Sequence, residues 1–328
     1  MNLYTLPPGV PFLDAVATWW LDQAGPDPID AADGLILLPT RRSARALTEA
    51  FLRISEGRPL LLPRIAALGG LDEAPLALAG ALDLPPAVDE TERLAVLTRL
   101  VMALDGKFGA PSTADSAWRL ARELADLLDE AHRSEVDLSK KLPEAAEAGY
   151  AEHWTRTIQF LEIVTSAWPK WLEDNGKMDT AQRAQALLEV QTATWDAEPP
   201  GYKVLVAGTT GGVPAVARLM RVVARLPGGA IILPGLDLEM PEEVWATLED
   251  SHPQAGMQRL LYRMGASRGD VTPLKPSPSR RGLGEGGPAG RHPHPNPLPE
   301  GEGEARASTL WRALLPASAL ALWREPFA

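Results

Sequence analysis

An α/β fold with a parallel sheet covered by helices on both faces is predicted by three observations. The apolar runs do not alternate with polar residues, helical spacing follows them directly, and a proline or glycine stands at each junction. Residues 3–16, LYTLPPGVPFLDAV, read as a short strand, a Pro/Gly loop and a helix that starts at once. Residues 34–39, GLILLP, repeat the pattern. The run breaks at Pro39, and TRRSARALTEAFL over 40–52 follows with helical spacing. Strands return at 202–208, YKVLVAG, and 229–234, GAIILP, separated by a helical segment over 213–226.

Between these units, residues 89–190 read as helical almost throughout. Ala117, Leu120, Ala121, Leu124, Leu128 and Ala131 recur at steps of three and four behind the cap signal Ser112-Thr113. A second helical stripe carries Trp154, Ile158, Leu161, Val164 and Trp168. The organisation expected is a discontinuous α/β domain over 1–88 and 200–272, with an all-helical insertion over 89–199. Ligands of such a sheet are expected at the carboxyl ends of its strands.

Residues 273–305 differ in kind. PSPSRRGLGEGG at 276–287 and HPHPNPLPEGEGE at 292–304 offer almost nothing to bury, so this stretch is expected to be disordered. Pro and Gly codons are reverse complements, as are one Ser/Gly pair and one Leu/Glu pair. The segment therefore reads as a translated palindromic DNA repeat, and inverted pairing among its codons is the observation that tests this. Helical sequence resumes over 306–328, and the chain is expected to be an N-terminal fragment of a longer one.

The 328 residues carry 32 basic and 43 acidic side chains, a net charge of −11. Contact with nucleic acid must then come from a local basic patch acting against the overall field. There is no cysteine, which excludes disulfides, thiolate zinc sites and cysteine-ligated iron–sulfur clusters in this chain. With no apolar run of about 18 residues and no signal-peptide pattern, the chain is expected in the cytoplasm, away from membrane.

A working phosphate loop needs glycine amides, a lysine and a Ser/Thr for magnesium. Pro8, Gly9, Val10 and Pro11 stand where such a loop belongs, yet three prolines at 7, 8 and 11 lack N–H groups and no lysine is present. The loop reads as a rigid strand-to-helix turn. A second loop, Gly208, Thr209, Thr210, Gly211 and Gly212, opens a helix and has the composition to cradle an anion, again without lysine. Asp237 and Glu239 follow a strand, as a magnesium-holding acid would, but also lead into a helix. Asp129 and His132, beside Glu130, sit one helical turn apart with no matching second pair, so a solvated helix face is the expected reading. Arg41, Arg42 and Arg45 lie at a strand's end and the start of a helix, placed to contact phosphates. Arg218, Arg221 and Arg225 form a less pointed row. No catalytic or metal-binding residue and no cofactor is assigned.

Six ordered segments resemble the N-terminal part of the alphaproteobacterial AddB family: YTLPPGVPFLD at 4–14, LILLPTRRSARAL at 35–47, LPRI at 62–65, AGTTGGVPA at 207–215, LPGLD at 233–237 and HPQ at 252–254. AddB is the second subunit of the AddAB helicase–nuclease, which processes double-strand DNA breaks for recombination. The resemblance covers 1–272 and, less closely, 306–325. It implies an inactivated superfamily-one helicase-like domain, with the helical insertion in place of an accessory subdomain. It also implies an AddA-type motor subunit and DNA as partners, with Arg41 and Arg42 at a position like a helicase motif that touches single strands. The family's C-terminal nuclease has no counterpart here. A stand-alone nucleotide-dependent enzyme and a remnant of a disrupted gene are the alternatives.

Overall fold

The computed structural model describes residues 1–25, 27–56, 58–69, 83–103, 113–140 and 162–275. Six parallel strands form one sheet in the order β3-β2-β4-β5-β1-β6. They are β1 (Leu3–Leu6), β2 (Gly34–Leu38), β3 (Arg64–Ala67), β4 (Lys203–Ala207), β5 (Gly229–Pro234) and β6 (Val271–Pro273). Every strand adjacent to β1 or β2 pairs parallel with it, as β4 does with β5.

Strand side chains alternate between faces, and both faces are dry. Leu35, Leu37, Val204, Val206, Ile231 and Leu233 enter one apolar cluster; Ile36, Leu38, Leu205, Ala207, Ala230 and Ile232 enter the other. This double burial is why the runs are apolar at consecutive positions. The second cluster is closed by α1 (Phe12–Gln23) and α3 (Arg41–Ile54) through Val16, Ala17, Trp20, Leu47, Ala50 and Phe51. The short α2 (Pro28–Ala32) receives the Trp20 Nε1–H on Ala31 O at 2.8 Å.

Between β3 and β4 lie α4 (Glu90–Met102), α5 (Ala114–Ser134), a π-helical turn (Ile163–Ala167), α6 (Trp168–Asp174) and α7 (Thr180–Ala197). Thr113 caps α5, and Ala117, Ala121, Leu124, Leu128 and Ala131 are buried along it, as their spacing predicts. Leu120 is partly buried beside them. The α4–α5 pair packs with Ile163, Trp168 and Leu172 around a separate apolar cluster. Trp154, Ile158 and Leu161 of the expected second stripe lie outside the described residues, as do Ser112 and the whole of 276–328.

One helix ties this cluster to the sheet. The Asp179 cap of α7 is fully buried next to Trp168, whereas Leu188 and Trp195 farther along α7 belong to the sheet's core. The face they share is completed by α8 (Pro214–Val223) and α10 (Ala255–Met264), with α9 (Glu242–Ala246) between β5 and α10.

Candidate functional site

A parallel sheet gathers the loops that follow its strands along one edge. The loops after β1, β2, β4 and β5 carry Pro8 to Pro11, Thr40 to Arg42, Gly208 to Gly212, and Asp237 with Glu239. Both loop candidates, Arg41, Arg42, Asp237 and Glu239 therefore share one rim, whereas Asp129, His132 and the Arg218 row do not. The face taken by the helix that follows each strand changes twice along it. The helices after β1 and β2 cover one face and α8 and α10 cover the other, so crevices are expected between β5 and β1 and between β2 and β4.

Beside β1 runs the loop that sequence places at the phosphate position. Gly9 takes a left-handed φ of 86°, Pro11 is the N-cap of α1, and no side chain caps that helix. Pro8 stands 3.8 Å from where a Cβ on Gly235 would lie, and Phe12 lies 3.0 Å from the corresponding point on Gly208. Proline and phenylalanine carbon thus pack against the glycines of the loops after β5 and β4. The loop is a packed turn.

The Gly208–Gly212 loop is likewise committed to structure. The Gly208 N–H donates to Ile232 O at 3.1 Å, and the Gly211 N–H donates to Thr209 Oγ1 at 3.1 Å. Gly211 holds a φ of 62°, and a Cβ there would collide with Leu260 of α10. Arg263 Nη1 donates to Gly212 O at 3.2 Å. Two of the amides that an anion would need are already used.

Asp237 forms a turn. Its Oδ1 accepts from the Glu239 and Met240 N–H groups, each at 2.9 Å, while its own N–H donates to Gln254 Oε1 at 3.2 Å. Arg268 closes over the same loop, donating to Met240 O at 2.6 Å and standing 4.7 Å above the Trp245 ring. One oxygen of this carboxylate is thus committed to the turn.

Around β2 the situation differs. Thr40 and Ser43 form a reciprocal cap on α3, with Ser43 N–H to Thr40 Oγ1 at 3.0 Å and Thr40 N–H to Ser43 Oγ at 3.1 Å. The capped first turn holds Arg41 and Arg42 at the rim, and Arg45 follows one turn on. All three are exposed, and none pairs with a carboxylate among the described residues. No acidic residue stands in that turn. Arg41 and Arg42 thus stand at the positive end of a helix dipole, with Arg45 one turn behind, an arrangement that costs stability unless an anion offsets it.

Asp129 corrects the reading from sequence. Its side chain is 28% exposed and turned toward an ion pair: Oδ1 is 2.9 Å from Nη2 of Arg93, a side chain only 7% exposed that also meets Asp179 at 3.2 Å and Ala125 O at 3.1 Å. Trp168 Nε1–H donates to Asp179 Oδ2 at 2.9 Å. Burial lowers the His132 pKa, with Arg93 acting in the same direction and Asp179 and Asp129 against it. Neither Arg93 nor Asp179 carries a local sequence signal, because the ion pair joins distant positions. Arg218 also departs from a simple basic row, since it bridges Glu135 at 2.5 Å and Glu189 at 2.9 Å. No group of three or more potential metal ligands occurs among the described residues, and no described helix is long and apolar enough to cross a membrane.

Neither a protein-family model nor a curated protein matches the chain.

Proposed function

We propose that this chain is an AddB-type, non-catalytic DNA-handling module of a cytoplasmic helicase–nuclease that acts in double-strand break repair, with ATP turnover supplied by an AddA-type partner. The observation that carries the reading is the set of unpaired arginines, Arg41, Arg42 and Arg45, at the start of α3 on the carboxyl rim. In a chain of net charge −11, such a cluster is a local exception to the overall field, and phosphate oxygens would offset its conflict with the helix dipole. The two glycine-bearing loops lack a lysine and are packed by Pro8, Phe12 and Leu260, and the second spends an amide on Thr209 Oγ1. That filling supports a binding role over hydrolysis.

The test is fluorescence anisotropy with a labelled 20-nucleotide oligo-dT at low salt, since phosphate contacts weaken steeply as salt rises. Replacing Arg41, Arg42 and Arg45 together by Ala is expected to weaken binding at least about tenfold and to flatten the salt dependence. ATP turnover by the pure chain, abolished by Asp237→Ala, would overturn the reading.

A further inference from the structure

We propose that the outer face of α10 is a stacking platform for single-stranded nucleic acid, with Tyr262 receiving a base and Arg263 a phosphate. The proposal rests on the DNA-handling reading above and extends it to a second set of residues. Tyr262 is 85% exposed, more than any other large apolar or aromatic side chain described. It stands between Arg259, one turn earlier, and Arg263, the next residue, and both arginines are exposed. The opposite face of α10 is fully committed to the sheet's core through Ala255, Met257, Leu260, Leu261 and Met264.

Rigidity distinguishes this face from an ordinary exposed tyrosine. At the start of α10, Gln254 Nε2–H donates to Gly235 O at 2.9 Å and Gln254 Oε1 accepts from Asp237 N–H. Gln258 donates to Trp245 O, and Arg263 to Gly212 O at 3.2 Å. Gly265 ends the helix in the left-handed conformation at φ 68°. α10 is therefore clamped across the loops after β4 and β5, and the tyrosine ring is presented from a fixed backbone at little entropic cost.

Charge selects the kind of partner. Arg259 is engaged by Asp250 at 2.5 Å, whereas Arg263 makes no ion pair among the described residues. One cation that keeps its charge unpaired by any described carboxylate, beside one bare ring, matches the repeating unit of a single strand, a phosphate followed by an unstacked base. Paired bases present no free face to the ring, so duplex is disfavoured. β4 and β2 are adjacent strands about 4.8 Å apart, so the loop beneath α10 and the loop bearing Arg41 and Arg42 leave the rim side by side.

The experiment compares a labelled oligo-dT 20-mer with an abasic 20-mer of the same charge, using the whole chain. Tyr262→Ala is expected to weaken oligo-dT binding about tenfold and to leave abasic binding unchanged, while Tyr262→Phe restores the loss. Arg263→Ala is expected to weaken both probes and to lower the single-strand salt slope by about 0.7. Because Tyr262 makes little packing contact, an unchanged melting curve accompanies the results of its two variants. Binding of oligo-dT by Tyr262→Ala at wild-type strength, or equal loss on both probes, overturns the platform. If replacing Arg41, Arg42 and Arg45 weakens binding while Tyr262→Ala does not, the platform falls and the rim reading stands. If only Tyr262→Ala matters, the platform stands and the rim arginines are released from the role. A wild-type chain that binds neither probe overturns both.

Discussion

Across the sheet, all of β2 and Val204, Leu205, Val206 and Ala207 of β4 are buried with no charged side chain among them; in the helical cluster, Arg93 is 5% exposed and Asp179 is 0% exposed. Both regions exclude water, but they do so under different constraints. The sheet depends on apolar area and shape, which tolerate many substitutions of similar volume. The cluster depends on a charge network whose members are worth little as a set and costly to separate. Arg93 Nε also lacks a hydrogen-bond partner, so the network has no spare contact with which to compensate a loss. The sheet resists mutation by redundancy, and the cluster by completeness.

The sharpest way to break this contrast is Asp179→Ala. It leaves Arg93 half-compensated, removes the acceptor for Trp168 and deletes the cap of α7. A loss of about 3–5 kcal/mol is expected in urea unfolding, with hydrogen exchange rising first in α4 and α5 and later in the strands. Exchange that rises uniformly would erase the distinction between the regions.

Overpacking the sheet is expected to cost less. A Cβ on Gly34 would meet the Trp20 ring and lie 2.8 Å from the backbone oxygen of Lys203, so Gly34→Ala must shift either a buried indole or a strand. We expect about 1–3 kcal/mol in the same unfolding measurement, and less if the indole can rotate away from Ala31 O.

The smallest effect comes from pH. His132 titrates below its ordinary value of 6.5 in the folded chain because burial disfavours its charged form. The unfolded chain binds the proton first, so stability is full above about pH 6.5 and declines as pH falls toward the folded-state value. His132→Gln should flatten that part of the melting-temperature profile. An unchanged profile would place the pH sensitivity elsewhere.

Legibility followed the range of the interactions. β1, β2, β4 and β5 announce themselves as apolar runs because each is buried on two faces, and α5 because one stripe faces one core. β6 is different. Its three residues, ending in Pro273, are extended because β1 offers Thr5 O and its neighbours as acceptors, and nothing within the segment says so. β3 is similarly placed by β2, with Arg64 lying 4.8 Å above the Tyr202 ring. On the rim, composition already excluded a lysine-bearing phosphate loop, but it could not show that Phe12 reaches over Gly208 or that Leu260 faces Gly211. The reading of Asp129 failed for the same reason. Its partner is a buried arginine on another helix, and helical periodicity gives Arg93 no mark of burial.

The sequence by itself determined the class of fold, the four central strands, the cap and stripe of α5, the absent lysine and the exposed position of Arg41, Arg42 and Arg45. Each depends on residues within a turn or a strand of one another, where hydrophobic period and side-chain chemistry act directly. Only the tertiary structure decided the strand order, the packing of Pro8 and Phe12 against Gly235 and Gly208, the Arg93–Asp179 pairing and the clamping of α10 that leaves Tyr262 bare. Each of these joins segments far apart in the chain, and their proximity is set by the packing of the whole sheet.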